Sequence, residues 1–187
     1  MLNSLLVRLR RPRADGRPAV FALADTAVTE RIRRQAQEAV IAFGEELQDE
    51  PPRGDALDAY QAATMVLDAA TSLADLAGVF VLVNIGRGGG PLCLFDPLHG
   101  PSARQVTWRL LGSREQLRVP ACGACAQAIS RHRPPEVVPD TVNKRRVPYL
   151  DVDPGKSVWA ATGFGVFSGD LVERVLRGDF RRRRTSA

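Results

Sequence analysis

The segments Cys93-Leu-Phe-Asp-Pro-Leu-His99 and Cys122-Gly-Ala-Cys125 decide the local fold of this chain, because they contain its metal-binding residue types. They hold all three cysteines and one of the two histidines among the 187 residues. Thiolate and imidazole ligands with a short Cys-x2-Cys arm suit Zn²⁺, whose structural sites are commonly formed by three Cys and one His. The sequence therefore predicts a metal site formed by Cys93, His99, Cys122 and Cys125.

The residues between the two segments indicate a β-hairpin. Apolar residues alternate with polar ones from 105 to 111, Gly112-Ser113 marks a turn, and 116–119 supply the return strand. A helix is predicted at 126–131. The order of elements along the chain resembles that of a treble-clef zinc finger: a loop with two ligands, a β-hairpin, and a Cys-x2-Cys pair at the start of a helix. In such a module the helix N-terminus stabilises thiolates, and the bound metal stabilises a core that is too small to be stable alone.

One departure from the treble clef is the spacing of the first two ligands. A typical knuckle has two residues between them, whereas Cys93 and His99 are separated by the five residues Leu-Phe-Asp-Pro-Leu. The other histidine, His132, lies seven residues after Cys125 near the end of the predicted helix. We therefore expect His132 to be a surface residue outside the site.

Other interpretations of the cysteines stay open. In the first, the cysteines are simply small buried hydrophobic residues that bind no metal. A thiol redox protein would use Cys122 and Cys125, although no aromatic residue directly precedes Cys122 and no surrounding βαβ pattern is visible. A zinc deaminase is disfavoured because Gly100 and Pro101 follow His99, so the glutamate two residues on is missing. Four protein ligands leave no position for an activated water, which favours a non-enzymatic role.

Helical patterns dominate the first half of the chain. Apolar residues recur at helical spacing from 25 to 47 and again at roughly 56–70, where Asp55 would be the N-cap. A Pro- and Gly-containing break at 49–54 separates the two patterns. Two helices joined by a short break are expected to form an antiparallel hairpin.

A third apolar stretch follows, and its secondary structure stays open. Ser72 is suited to cap a short helix, but the β-rich run 79–83 fits either the continuation of that helix or a buried strand. The glycine run 86–90 lacks both the Gly-Lys-Ser/Thr ending of a P-loop and the spaced glycines of a dinucleotide site. We interpret this run as a connector that leads to Cys93.

The C-terminal part combines a Pro-rich polar stretch with two short elements. A strand is expected at 147–152, and Ser168 would cap a final helix from Gly169 to Arg177 that Gly178 ends. Between them, the segment 157–165 is typical of tight packing, with glycines in turns of positive φ. The alternative is a ligand pocket with aromatic walls and hydroxyl donors, contributed by Trp159, Phe164, Ser157 and Thr162.

The net charge of +5 comes mainly from arginine, which is concentrated near both ends of the chain. Such clusters bind nucleic acid phosphates in some proteins and form solvated termini in others. Aromatic residues are sparse and are not interleaved with the arginines, so no stacking surface for single strands is indicated. Nucleic-acid binding thus stays an alternative, through the four C-terminal residues Arg181, Arg182, Arg183 and Arg184.

Cysteine usage and hydropathy bear on the compartment. An odd number of cysteines fits a closed disulfide framework poorly. The apolar residues at the start of the chain precede the basic ones, which is the reverse of a secretory signal. No apolar run is long enough to span a bilayer, the best being 73–85. These observations favour a cytoplasmic protein without a membrane span.

Three motifs within Leu57 to Arg177 resemble those of a family of uncharacterised proteins from actinobacteria. They are Cys93-Leu-Phe-Asp-Pro-Leu-His99-Gly, Cys122-Gly-Ala-Cys125 and Ser157-Val-Trp-Ala-Ala-Thr-Gly-Phe-Gly165. The alanine- and arginine-rich composition fits that source. The resemblance implies that the three motifs form one structural unit. It does not imply any particular activity.

Together these patterns predict an α+β protein: an N-terminal helical hairpin, a treble-clef-like zinc module and a C-terminal helix. The expected organisation is a flexible basic lead-in (1–20), a helical part (21–90), a zinc-module part packed on it as one unit (91–178), and a basic tail (179–187). The leading functional hypothesis is a zinc-stabilised adaptor or scaffold that binds another protein.

Overall fold

The computed structural model describes residues 16–49, 54–109, 115–143 and 145–184. Its helices are combined with two small antiparallel sheets of two strands each, which confirms the α+β class. The longer elements, in chain order, are α1 (Gly16–Asp49), α2 (Gly54–Ala69), α3 (Leu73–Gly86), β1 (Arg104–Trp108), β2 (Leu117–Ala121), α4 (Gly123–Ser130), β3 (Pro139–Val142), β4 (Arg145–Pro148), α5 (Val158–Thr162) and α6 (Leu171–Leu176). Short 3-10 turns cover Pro97–His99, Tyr149–Asp151 and Asp179–Arg184.

The first two helices form the expected antiparallel hairpin. Near the middle of α1, Arg33 donates from Nη2 to the carbonyl oxygen of Ala70, just beyond the end of α2, at 2.8 Å. Ten residues further along α1, the Phe43 ring meets Tyr60 of α2 edge to face, with ring centroids 6.0 Å apart. Contacts that advance along α1 while they move back along α2 define antiparallel packing. The first helix begins at Gly16 and so includes residues assigned above to the lead-in.

The apolar run 79–83 is helical and belongs to α3. Ser72 is the N-cap: its side chain accepts from the Asp75 amide, while the Asp75 carboxylate accepts from the Ser72 amide. This capping box satisfies donors that would otherwise be orphaned and starts the helix just before the run. The helix is then buried on most sides, so its residues show neither helical nor strand periodicity.

The predicted hairpin and the helix after it are both present. Strands β1 and β2 pair antiparallel with Val106 opposite Val119 and Trp108 opposite Leu117. The expected turn at Gly112-Ser113 lies outside the described residues. The next helix, α4, begins at Gly123, three residues before the predicted start, because Cys122 acts as its N-cap.

Two C-terminal predictions need correction. The expected strand at 147–152 is instead β4, which ends at Pro148 and pairs with β3, a strand that the sequence patterns did not indicate. The chain turns there because Tyr149 is fully buried and its hydroxyl donates to the Leu94 carbonyl oxygen at 2.6 Å. Ser168 does not cap the last helix, since its hydroxyl donates to Asp170, the residue at the N-cap position of α6.

The buried apolar residues form two clusters. The larger one lies among α1, α2, α3, α5 and α6, whereas the smaller one surrounds the three cysteines, the β1–β2 hairpin and α4. Val137 and Leu150 pack against both clusters and connect them. The helical part therefore supplies a core of its own, and the cysteines lie in a separate, smaller core beside it.

Candidate metal centre

The four sequence-predicted ligands converge. One ligand atom from each of Cys93, His99, Cys122 and Cys125 lies within 4.8 Å of all the others. His99 Nδ1 is 3.7 Å from the sulfur of Cys122 and 3.5 Å from that of Cys125. Zinc–sulfur and zinc–nitrogen bonds at a tetrahedral angle separate sulfur from nitrogen by about 3.5 Å. The observed spacing is thus that of ligands around one small cation, and none of the three cysteines forms a disulfide.

The five residues between the first two ligands fold into a tight knuckle. Asp96 accepts a hydrogen bond from the Leu98 amide at 2.8 Å and so caps the 3-10 turn that ends at His99. The Cys93 amide donates to the carbonyl oxygen of Gly100 at 3.0 Å, which closes the loop. Gly100 has a φ of 82°, a conformation that favours glycine. This 3-10 turn brings His99 back beside Cys93, although five residues separate the two ligands.

The second ligand pair lies at the N-terminus of α4. Cys122 is the N-cap, and its sulfur accepts a hydrogen bond from the Cys125 amide at 3.4 Å. Burial alone would raise the pKa of the Cys122 thiol, but hydrogen bonds from the backbone and side chain of Cys125, the Cys93 side chain and the Ala124 backbone lower this pKa overall. The start of the helix therefore favours a thiolate at Cys122.

The sulfur of Cys125 needs a positive partner to become a thiolate. Burial raises the pKa of the Cys125 thiol, and the charges of Cys93 and Cys122 raise it further. Three thiolates so close together repel one another unless a cation lies among them. Three sulfurs and one imidazole are the donor set that binds Zn²⁺ well, so the residues present fit this metal.

Two carboxylates lie behind the histidine, and the sequence patterns did not single them out. His99 Nε2, on the far side of the ring from the sulfurs, is 3.7 Å from Asp96 Oδ2 and 4.0 Å from Glu136 Oε2. The Asp96 side chain is 13% exposed, whereas that of Glu136 is 86% exposed. Burial raises the pKa of Asp96. A carboxylate in this position commonly orients a metal-bound histidine, and the location of Asp96 inside the Cys-x5-His segment is the signal that would have found it.

His132 and most of the segment 157–165 take no part in the centre. As predicted, His132 is exposed, with a φ of 55° in the turn after α4. Trp159 is fully buried and stacks on Phe164 at a centroid distance of 5.3 Å. The Thr162 hydroxyl donates to the carbonyl oxygen of Val158 at 2.8 Å. These contacts agree with the packing interpretation, although Phe164 also reaches a surface cleft.

In the arginine-rich tail, the described side chain of Arg181 contacts an aromatic ring. The guanidinium carbon of Arg181 lies 5.3 Å from the centroid of the Phe180 ring, which belongs to the larger core. Such stacking anchors an arginine against its own protein. Among the described helices, none is both long and apolar enough to cross a membrane.

No protein-family model, no curated protein and no solved structure matches this chain. The resemblance to actinobacterial proteins therefore stays a prediction. Any functional proposal must rest on the site itself.

Proposed function

We propose that Cys93, His99, Cys122 and Cys125 hold one structural Zn²⁺, and that the chain is a non-catalytic binding module for another protein. The observation that carries the proposal is the convergence of four ligand atoms within 4.8 Å of one another. Soft thiolates select zinc over harder cations such as Mg²⁺ and Ca²⁺, which prefer oxygen ligands.

A structural role follows from the number and origin of the ligands. Four protein ligands complete a tetrahedral sphere and leave no open position for water or substrate. The ligands come from the knuckle before β1 and from the start of α4, so one ion would tie together segments that are distant in sequence. The small apolar cluster around the cysteines would gain stability from this link, because metal binding is coupled to folding.

An adaptor role fits a metal site in which all four coordination positions are occupied by protein ligands and none is open for catalysis. Zinc in such modules fixes the shape of a loop-rich surface, which a partner protein then recognises. Reduced thiols are required, which agrees with the expectation of a reducing, cytoplasmic compartment. We propose a protein partner and not nucleic acid, because Phe180, the aromatic residue next to the arginine-rich tail, is buried in the larger core and so offers no stacking surface for bases.

Metal analysis of the purified chain tests the zinc assignment. About one zinc per chain is expected for four converging ligands, and Cys93→Ser, Cys122→Ser or Cys125→Ser should abolish stoichiometric binding. His99→Ala should also lower the zinc content, whereas its matched control His132→Ala should leave the zinc content unchanged. A fully reduced chain that binds no zinc would contradict the proposal.

The same preparation separates the functional alternatives. Binding of a protein partner should require the zinc-loaded module and be lost in Cys125→Ser. A reversible Cys122–Cys125 disulfide in a metal-free chain would instead indicate thiol redox chemistry. Nucleic-acid binding that falls steeply with salt would indicate use of the arginine-rich tail.

A further inference from the structure

A cleft of about 400 Å³ lies beside the metal centre. This volume is in the range of small-molecule sites, which are mostly apolar with a few placed polar groups. Three walls form it: the end of α3 with the glycine run 86–90, the outer face of the β1–β2 hairpin, and the turn at 164–166. Cys93 also lines it, so the cleft adjoins the metal site.

The hairpin register explains why polar groups face the cleft on one side. Val106 and Val119 pair on the face of the hairpin that packs into the smaller core. Because side chains alternate between the two faces of a strand, the residues next to each valine project to the other face. On that face Gln105 and Arg118 are diagonal neighbours across the strands, and both line the cleft. The hairpin thus contributes one amide and one guanidinium to the same wall.

Arg118 is the one charged residue among the described residues that line this cleft. No acidic residue appears among the described residues that line it. Arg118 is exposed, and no carboxylate in the described part of the chain lies within ion-pair distance of its guanidinium. An unpaired guanidinium at the edge of an apolar cleft suits a carboxylate, which it can bind with two parallel hydrogen bonds.

The opposite walls are apolar. Ile85, at the end of α3, is a large hydrophobic residue that is 40% exposed and lines the cleft. Leu92, Phe164 and Val166 extend the apolar surface. Phe164 has a φ of 54°, a conformation that is costly for a non-glycine residue and is often found at binding sites. Its ring is held by contacts with the two buried aromatics Trp159 and Tyr149.

The rim of the cleft is fixed before any ligand arrives. Asn84 Nδ2 donates to the Gly90 carbonyl oxygen at 2.9 Å, and the Gly89 amide donates to the backbone oxygen of Asn84 at 2.9 Å. A Cβ atom at Gly89 would lie 2.2 Å from Asn84 Oδ1, so only glycine lets the carboxamide pack there. Because the loop is already ordered, little conformational entropy is lost when a ligand binds.

From these features we infer that the cleft binds a small organic monocarboxylate. Its carboxylate would pair with Arg118 and Gln105, and its hydrocarbon part would lie against Ile85, Phe164 and Val166. This activity goes beyond the proposed adaptor function and does not depend on the identity of the protein partner.

Titration of the isotope-labelled chain with octanoate, monitored by amide NMR, tests the inference directly. Saturable shifts are expected at residues 84–92 and 164–166, with a Kd of about 1 mM or tighter. Octylammonium, which has the same chain and the opposite charge, should not bind. Absence of saturable shifts at these residues, or equal binding of octylammonium, would overturn the inference.

Variants then assign the contacts. Arg118→Gln should weaken octanoate binding by about tenfold, since hydrogen bonds to charged groups are strong, and should leave octan-1-ol binding unchanged. Arg104→Gln is the control, because Arg104 is an exposed arginine of the same hairpin outside the cleft. Ile85→Trp should fill the cleft and block both compounds. If Arg118→Gln and Arg104→Gln behave alike, the inference is wrong.

Zinc content is measured on the NMR sample. A zinc-loaded chain that fails to bind octanoate contradicts the cleft inference alone. A fully reduced chain that binds octanoate but takes up no added zinc supports the cleft and contradicts the metal assignment, so the two proposals fail separately.

Discussion

Trp159 Nε1 donates a 2.9 Å hydrogen bond to Oδ1 of Asp75, and both side chains are buried. The other oxygen of the same carboxylate accepts from the amides of Thr71 and Ser72 and from the Thr71 hydroxyl. Asp75 therefore caps α3 and also ties this helix to α5, 84 residues later in the chain. A buried carboxylate is tolerated here because hydrogen bonds reach both of its oxygens.

We expect Asp75→Asn to lower the free energy of unfolding by about 2 kcal/mol. The new amide group must point its N–H donors either at Trp159 Nε1 or at the backbone amides, so donors face donors in both orientations. Urea denaturation measures the change. Asp68→Asn, at an exposed position of α2, is the control and should be nearly neutral; equal effects of the two substitutions would contradict the assigned role.

Gly78→Ala is expected to destabilise the chain by about 1–3 kcal/mol. Alanine normally stabilises a helix relative to glycine, but here the Cβ atom would lie 2.2 Å from the buried indole of Trp159. The control is Gly54→Ala, in the first turn of α2, where no atom lies within 4 Å of the added Cβ. Thermal or chemical denaturation compares them. A stabilised Gly78→Ala variant would show that the indole packs elsewhere.

Asp96→Asn should weaken zinc binding by about tenfold or more, as loss of a carboxylate behind a metal-bound histidine usually does. Asparagine keeps the oxygen that accepts from Leu98, so the 3-10 turn is preserved and only the group facing His99 Nε2 changes. Chelator competition measures the affinity. Glu136→Gln, at a much more exposed carboxylate, is expected to have a smaller effect, and the reverse order would assign the orienting role to Glu136.

Removal of zinc by a chelator is expected to affect the two cores unequally. Amides of the knuckle 93–99, strand β2 and α4 should lose protection from hydrogen exchange, because their apolar cluster surrounds the cysteines. Amides of α2 and α3 should stay protected, since they belong to the larger cluster. Simultaneous loss of protection in all these elements would mean that the two cores fold as one cooperative unit.

Stability should fall at high pH because of Tyr149. Burial raises the pKa of its hydroxyl well above the ordinary value, and the charges of Cys93 and Asp96 add to this shift. The folded-state pKa is the higher one, so the contribution is fully present below about pH 10 and is lost as the pH rises further. Denaturation of Tyr149→Phe across pH 8–11 should show a shallower fall than the parent chain. Tyr60→Phe leaves Tyr149 in place and should retain the steep fall.

The metal ligands and the helical hairpin could be predicted from the sequence for simple physical reasons. The chain has only three cysteines and two histidines, so few ligand sets are possible, and His132 is poorly placed after Cys125. Amphipathic periodicity is a local property, and it located α1 and α2 to within a few residues at their C-terminal ends.

Tertiary structure decided what periodicity cannot encode. The run 79–83 is helical because the capping box at Ser72 starts α3 and the surrounding helices bury it on most sides. The turn at Tyr149 depends on a hydrogen bond to the Leu94 carbonyl oxygen, 55 residues away. The cleft that Arg118 lines likewise exists only once distant segments meet. Composition and local spacing thus determined which residues are available, and long-range packing determined which of them became neighbours.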